Sequence, residues 1–251
     1  MRALITGGTT GIGLEMARNL LMKGYDVILV SRHENETETL REAFPDREIT
    51  FMSADLSEEN ECFRILDETE QYDDIEVFIA NAGFGDVGRF QKTSVEKEIR
   101  MVKLNDISTL ILTKGFMKRF VEKDKGRIIV TCSAASFGVA GYMNVYYATK
   151  SFAYSLVHGY HRELKDRKSK VTISALCPGP VKTNFEKEAN TKFNIKTMSA
   201  EKVGKNAINK GLKGKLVIVP GFTMKCLHFA SHLVPKRLIS IILNKQAQIK
   251  E

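Results

Sequence analysis

The chain has 251 residues, 43% of them hydrophobic and 27% charged, with a formal net charge of +8. That balance suits one globular domain, residues 1–251, and excludes a low-complexity or fibrous chain. No apolar run reaches the roughly 18 residues of a spanning helix, and the cationic residues stand mostly beside acidic ones, so nucleic acid is not an expected partner. The first strand-like run is Met1–Thr6, followed at once by Gly7-Gly8-Thr9-Thr10-Gly11-Ile12-Gly13 and by helical spacing from Leu14 to Lys23. Further strands are expected at 26–31, 48–53, 75–80, 126–131, 171–176 and 215–219. Between them lie a polar helix ending near Phe44, a helix capped by Ser57, and two long helices at about 93–122 and 145–167. Short, nearly all-apolar strands alternating with helices predict an α/β, doubly wound parallel sheet of about seven strands with helices on both faces.

A strand that empties into a glycine-rich turn and then a helix brings backbone N–H groups and a helix N-terminus up to a phosphate. Gly7, Gly11 and Gly13 fit that turn, with Thr9, Thr10 and Ile12 between them. An NAD-binding fold usually carries an acid after its second strand. Here Ser31-Arg32 stands there, and a guanidinium can pair with a 2′-phosphate through two donors, so NADP(H) is favoured over NAD(H). Asp55-Leu56 and Asn81-Ala82-Gly83 close the third and fourth strands, where open α/β sheets bind ligands.

The fifth strand ends at Cys132-Ser133, and Tyr146 and Lys150 follow at i and i+4 on a predicted helix, sharing one face. A nearby ammonium lowers a phenol's pKa, and such a phenol exchanges a proton with a carbonyl/alcohol pair near neutral pH. Ser133 is placed to hydrogen-bond the same oxygen. The cysteines Cys62, Cys132, Cys177 and Cys226 form no C-x-x-C pair and lack zinc spacing with histidines. No metal site is therefore expected, and the thiols read as buried and free in a reducing cytoplasm. The first strand begins too near Met1 for a signal peptide.

Taken together, Thr6–Gly13, Asn81-Ala82-Gly83, Ser133, Tyr146-x-x-x-Lys150 and Pro178-Gly179-Pro180-Val181-Lys182-Thr183 resemble the short-chain dehydrogenase/reductase family over essentially the whole chain. The surroundings of Cys177-Pro178 and Val219-Pro220-Gly221 look like its DltE-like bacterial branch. The resemblance implies that Tyr146 is the general acid/base, that Lys150 lowers its pKa and holds the nicotinamide ribose, and that Ser133 orients the carbonyl. Asn105 then holds a relay water, although Lys103-Leu104-Asn105 departs from the commoner surroundings. Asp55 meets the adenine, and Pro178, Gly179, Val181 and Thr183 meet the nicotinamide and phosphate side. Homodimers or homotetramers pairing through the two long helices are also implied.

The expectation is an NADP(H)-dependent oxidoreductase acting on a small-molecule carbonyl or secondary alcohol. A dinucleotide sensor or scaffold without turnover would share the glycine turn, but the intact Ser133, Tyr146 and Lys150 speak for an enzyme. The aperiodic loop 180–198 and the apolar-rich tail 222–249 are expected to shape the pocket. For that tail, covering the pocket or a partner subunit is preferred to lying on a membrane, and it suggests a substrate with hydrophobic bulk.

Overall fold

The computed structural model describes residues 1–183, 185, 189, 197–235 and 240. Its central sheet uses the expected strands: β1 (Arg2–Thr6), β2 (Asp26–Ser31), β3 (Ile49–Ser53), β4 (Ile75–Ala80), β5 (Arg127–Thr131) and β6 (Thr172–Leu176). After β7 (Val181–Lys182) and β8 (Met198–Ser199) comes β9 (Val217–Ile218). The seven-stranded order is β3-β2-β1-β4-β5-β6-β9, and every pairing is parallel. The order reverses between β1 and β4, which opens a crevice at the strand C-terminal ends. β7 and β8 form their own short parallel pair at the two ends of the expected 180–198 loop. Most of that loop, and the tail after Pro235 apart from Ser240, lies outside the described residues.

The strands are apolar throughout because both faces are covered. On one face Leu4, Ile28, Val30, Phe78, Ile128 and Val130 meet α5 (Ser108–Glu122) and α6 (Asn144–Asp166). On the other, Ala3, Ile5, Val27, Leu29 and Ile129 meet α1 (Gly11–Leu21) and α7 (Ala200–Gly211). Phe78 stacks on Phe116 with ring centroids 4.4 Å apart. Burying a side chain of this size is worth about 1.5–3 kcal/mol. α2 (Thr37–Ala43) and α3 (Glu59–Glu68) complete the first half, and α8 (Phe222–Leu233) docks on the short 3-10 turn Ala134–Phe137.

Two local expectations change. Ser57 does not cap α3: the cap position is Glu58, and the Ser57 N–H and hydroxyl both donate to Asp55 Oδ1, at 3.0 and 2.7 Å. The helix begins at Glu59, which leaves Ser57 one residue outside the cap position, and its hydroxyl turns to the preceding acid instead. The long helix near 93–122 is interrupted. α4 (Val95–Val102), capped by Ser94, runs into a π turn at Lys103–Ile107 before α5 begins. Among the cysteines, Cys62, Cys132 and Cys177 are buried but Cys226 is exposed, and all four are free thiols.

Candidate active site

A cleft of about 770 Å³ runs along the C-terminal ends of β1, β2, β4, β5 and β6. Its floor is a hydrogen-bonded belt. Thr6 Oγ1 accepts the N–H groups of Asn81 and Ala82 at 2.9 and 3.0 Å. The Asn81 amide donates to the carbonyls of Thr6 and Gly7 at 3.1 Å each, and its oxygen accepts from Thr131 Oγ1 at 3.1 Å. Asn81 thereby ties the glycine turn to β4 and β5.

The turn needs glycine for two reasons. Gly7 and Gly11 sit at φ +61° and +55°, where a side chain is strained. A Cβ on Gly13 would lie 2.0 Å from the Gly7 carbonyl oxygen. The cap residue of α1, Thr10, makes no side-chain cap bond, and no acid stands in the first turn. The N-terminal N–H groups of that helix therefore fit an anion.

Most of the expected binding residues line this one cleft: Gly7, Thr10, Gly11 and Ile12 from the turn, Ser31 and Arg32 after β2, Asp55 and Leu56 after β3, and Asn81, Ala82 and Gly83 after β4. Pro178, Gly179, Val181 and Thr183 face them from the segment after β6. Thr9 and Gly13 do not reach the wall. Thr9 is buried and accepts a hydrogen bond from Asn35 Nδ2 at 3.1 Å, and Gly13 packs behind Gly7. Burial works against the charge of Asp55, but the hydrogen bonds from Ser57, then the charges of Arg100 and Arg32, hold its carboxyl below the usual range. Arg100 Nη2 lies 3.1 Å from Asp55 Oδ2. Two guanidinium groups thus gather at this end of the cleft.

At the other end Ser133, Tyr146 and Lys150 line the wall together. Ser133 caps the 3-10 turn, its Oγ accepting the Ala135 N–H at 3.1 Å, and its hydroxyl also hydrogen-bonds the Tyr146 phenol. Lys150 is buried, and its Nζ donates to the Thr131 carbonyl at 3.0 Å while lying 5.8 Å from the centre of the Tyr146 ring. Gly83 makes room for this amine: a Cβ there would sit 3.4 Å from Lys150 Nζ and 2.8 Å from Asn105 Oδ1.

The expectation that Lys150 depresses the Tyr146 pKa is corrected. Burial pushes the phenol up to about 12, and the hydrogen bond with Ser133 offsets only part of that. Lys150 feels the same burial, which holds its ammonium below the usual range. Burial of the phenolate sets this direction, and Lys150, whose Nζ is spent on the Thr131 carbonyl, does not reverse it.

Asn105 is brought to the site but not to its wall. It is buried on the π turn, where its Oδ1 accepts the Phe84 N–H at 3.1 Å and its Nδ2 donates to Phe84 O and Thr149 Oγ1 at 2.9 and 3.1 Å. Its amide clamps the chain after Gly83 onto α6, with both Nδ2 donors used within the protein. The apolar wall was not foreseen: Phe84, Met143, Tyr147, Met224 and Leu227 line the cleft together with Tyr146. These residues come from three separate parts of the chain, and only the expected role of the tail pointed to the last two. Among the described residues no cluster of His, Cys, Asp and Glu could hold a metal, and no helix is long and apolar enough to cross a membrane.

Known proteins are similar to this chain in sequence and in fold. The family model for short chain dehydrogenase matches residues 1–194. An uncharacterized oxidoreductase, YvrD, of Bacillus subtilis is 29% identical over 181 residues, which span 72% of this chain and 68% of that protein. The diacetyl reductase [(S)-acetoin forming] of Staphylococcus epidermidis is 26% identical over 187 residues, covering 73% and 72%. In fold, the chain is similar to a short-chain dehydrogenase from Sphingobium yanoikuyae in complex with NADPH, with a TM-score of 0.84, 24% identity and coverage of 100% and 98%. It is also similar to a short chain dehydrogenase/reductase from Burkholderia phymatum in complex with NAD, with a TM-score of 0.82, 16% identity and coverage of 100% and 97%. With the model spanning most of its length, and a seven-stranded parallel sheet of the kind these structures share, the chain belongs to the short-chain dehydrogenase/reductase family.

Proposed function

We propose that this protein is an NADP(H)-dependent oxidoreductase that interconverts a carbonyl and a secondary alcohol. The observation that carries the reading is the convergence of Ser133, Tyr146 and Lys150 on the cleft that also holds the glycine turn. When bound, the nicotinamide supplies or accepts the hydride. Gly7, Thr10, Gly11 and Ile12 would hold the pyrophosphate through backbone N–H groups, and Lys150 the nicotinamide ribose. In reduction, Ser133 donates a hydrogen bond to the carbonyl oxygen, and Tyr146 delivers its proton to that oxygen as the carbon accepts the hydride. The high pKa of the phenol keeps that proton in place before the reaction. Asn105 acts here as the clamp that positions Phe84 and α6.

Support for NADP(H) comes from Arg32, which lines the cleft at the end of β2 where an acid would repel a 2′-phosphate. Support for a substrate with hydrophobic bulk comes from Phe84, Met143, Tyr147, Met224 and Leu227, which line the same cleft as Tyr146, with Met143 and Tyr147 packed beside it. Two of the cleft's cations, Arg32 and Arg100, gather at Asp55 instead.

The test is oxidation of NADPH by the purified protein with a panel of apolar ketones. Tyr146→Phe is expected to lose turnover by at least about a hundredfold while cofactor affinity stays within a few-fold; retained turnover would refute the proton-donor role. A wild type that bound NADPH but turned over no carbonyl would favour a sensor instead. Arg32→Asp is expected to weaken NADPH binding by about tenfold or more with little change for NADH. A wild type that preferred NADH would overturn the cofactor assignment.

A further inference from the structure

The chain after Glu201 carries ten lysines and arginines and no acidic residue as far as Lys250. α8 lies within that stretch, and it is apolar on two opposite faces. Its inner face covers the cleft, as expected of the tail. Met224 and Leu227 line the cleft. The His228 ring stands 4.4 Å from that of Phe137, centroid to centroid, and its Nε2 lies 3.4 Å from the Tyr154 hydroxyl. The outer face is uncovered. Phe222, Phe229 and Leu233 are 82%, 70% and 70% exposed, and with the exposed Cys226 they recur at i, i+4, i+7 and i+11 along one stripe. Lys225 flanks the stripe and is exposed too. Burial lowers the Lys210 ammonium, and the charges of Lys225 and Lys215 lower it further, so these three cations stand in one neighbourhood.

We propose that the outer face of α8 docks on an anionic lipid surface, with Phe222, Phe229 and Leu233 in the interfacial layer and the surrounding cations at the headgroups. Area and charge both favour lipid over a protein partner. Three side chains of this size, exposed to this degree, offer on the order of 400 Å² of apolar surface, roughly half of what each side of a stable protein interface buries. A lipid boundary needs no such area, because apolar insertion and electrostatic attraction act together there. A second copy on the same face would bring Lys225 towards its own counterpart, and like charges oppose that contact. The other exposed stripe, Val95, Ile99 and Val102 on α4, stands instead beside Glu96 and Glu98, which an anionic surface repels. Because Met224 and Leu227 belong to the same helix as the outer stripe, docking sets the apolar wall of the cleft near the lipid boundary. That consequence for the substrate rests on the reading above, whereas the docking itself does not.

The test is sedimentation of the full chain with lipid vesicles, neutral or containing about 30% anionic lipid, at about 0.1 M salt. Wild type is expected to bind the anionic vesicles at least about tenfold more tightly, and to lose that preference at about 0.5 M salt. Phe222→Ser combined with Phe229→Ser is expected to weaken binding to anionic vesicles by about tenfold or more, and Lys225→Glu by several-fold. Both phenylalanines are exposed, so the thermal midpoint of the double variant should stay close to that of wild type. A wild type that ignores anionic vesicles, or a folded double variant that binds them equally well, would overturn the proposal.

Cys226 gives an independent readout should the double variant not fold. It is exposed, whereas Cys62, Cys132 and Cys177 are buried, so a polarity-sensitive fluorophore attached to it reports on the stripe. Its emission is expected to shift to the blue when anionic vesicles are added. Vesicle binding without that shift would put the contact elsewhere on the chain and overturn the proposal. Self-association without lipid, abolished by the paired serine substitutions, would overturn it as well, since the face would then belong to a second copy. None of these measurements uses a cofactor or a carbonyl, so their outcome is separate from that of the oxidoreductase reading.

Discussion

Tyr146 shows how one residue can answer to two opposing terms. Its neighbour Lys150 makes a phenolate cheaper, whereas burial makes it dearer, and in the free protein burial prevails and pushes the phenol up to about 12. An acid that must give a proton to a carbonyl is best held protonated until the oxygen begins to carry charge. The expected consequence is spectroscopic. In the free protein, the phenolate band of wild type minus Tyr146→Phe should stay flat from about pH 7 to pH 9. A step within that range would mean that Lys150 already controls the phenol without cofactor. The measurement needs no substrate, so it separates the state of this one side chain from the whole catalytic cycle.

At the level of elements, what was legible followed from periodicity. β1 to β6 were readable because strands buried on both faces lose their alternation and become short apolar runs, as in Ile75–Ala80. The glycine turn was readable because left-handed backbone at Gly7 and Gly11, and close packing at Gly13, admit little else. Tyr146 and Lys150 were readable because i and i+4 share a helix face. The π turn was not. One inserted residue in a helix leaves an apolar pattern that still fits a continuous helix, so nothing marked Asp106 as enclosed. The two-residue strands β7 and β8 are too short for any pattern to show. The apolar wall of the cleft was hidden for another reason. Phe84, Met143 and Met224 look like core residues in one dimension, and only the topology shows that they face a cleft. Ser57 was read as a cap because serine before a helix commonly is one, yet the helix starts one residue later than that reading needs, with Glu58 at the cap.

On the scale of the whole molecule, the two faces of the sheet are closed but one flank is not. On α4, Val95, Ile99 and Val102 are 58%, 52% and 37% exposed, and they recur at i, i+4 and i+7 along one stripe. Phe152 on α6 is exposed as well, at 39%. An apolar stripe on a helix is normally buried against something. These two helices are the ones through which the family resemblance leads us to expect subunits to pair. A twofold contact there would place each stripe against its own copy, as an isologous interface requires, and a stable dimer would need to bury on the order of 1,200–2,000 Å². Ile99→Asp places two charges at that contact without touching the cleft, whose nearest wall residues on this helix are Glu96, Lys97 and Arg100. Sedimentation should then show the variant shifted to a monomer at concentrations where wild type is a dimer or tetramer, with NADPH affinity within a few-fold of wild type. An unchanged assembly would mean that the α4 stripe is not the contact. A loss of cofactor binding together with dissociation would mean that the subunits depend on one another for the shape of the cleft, because Arg100 braces Asp55 from the same helix.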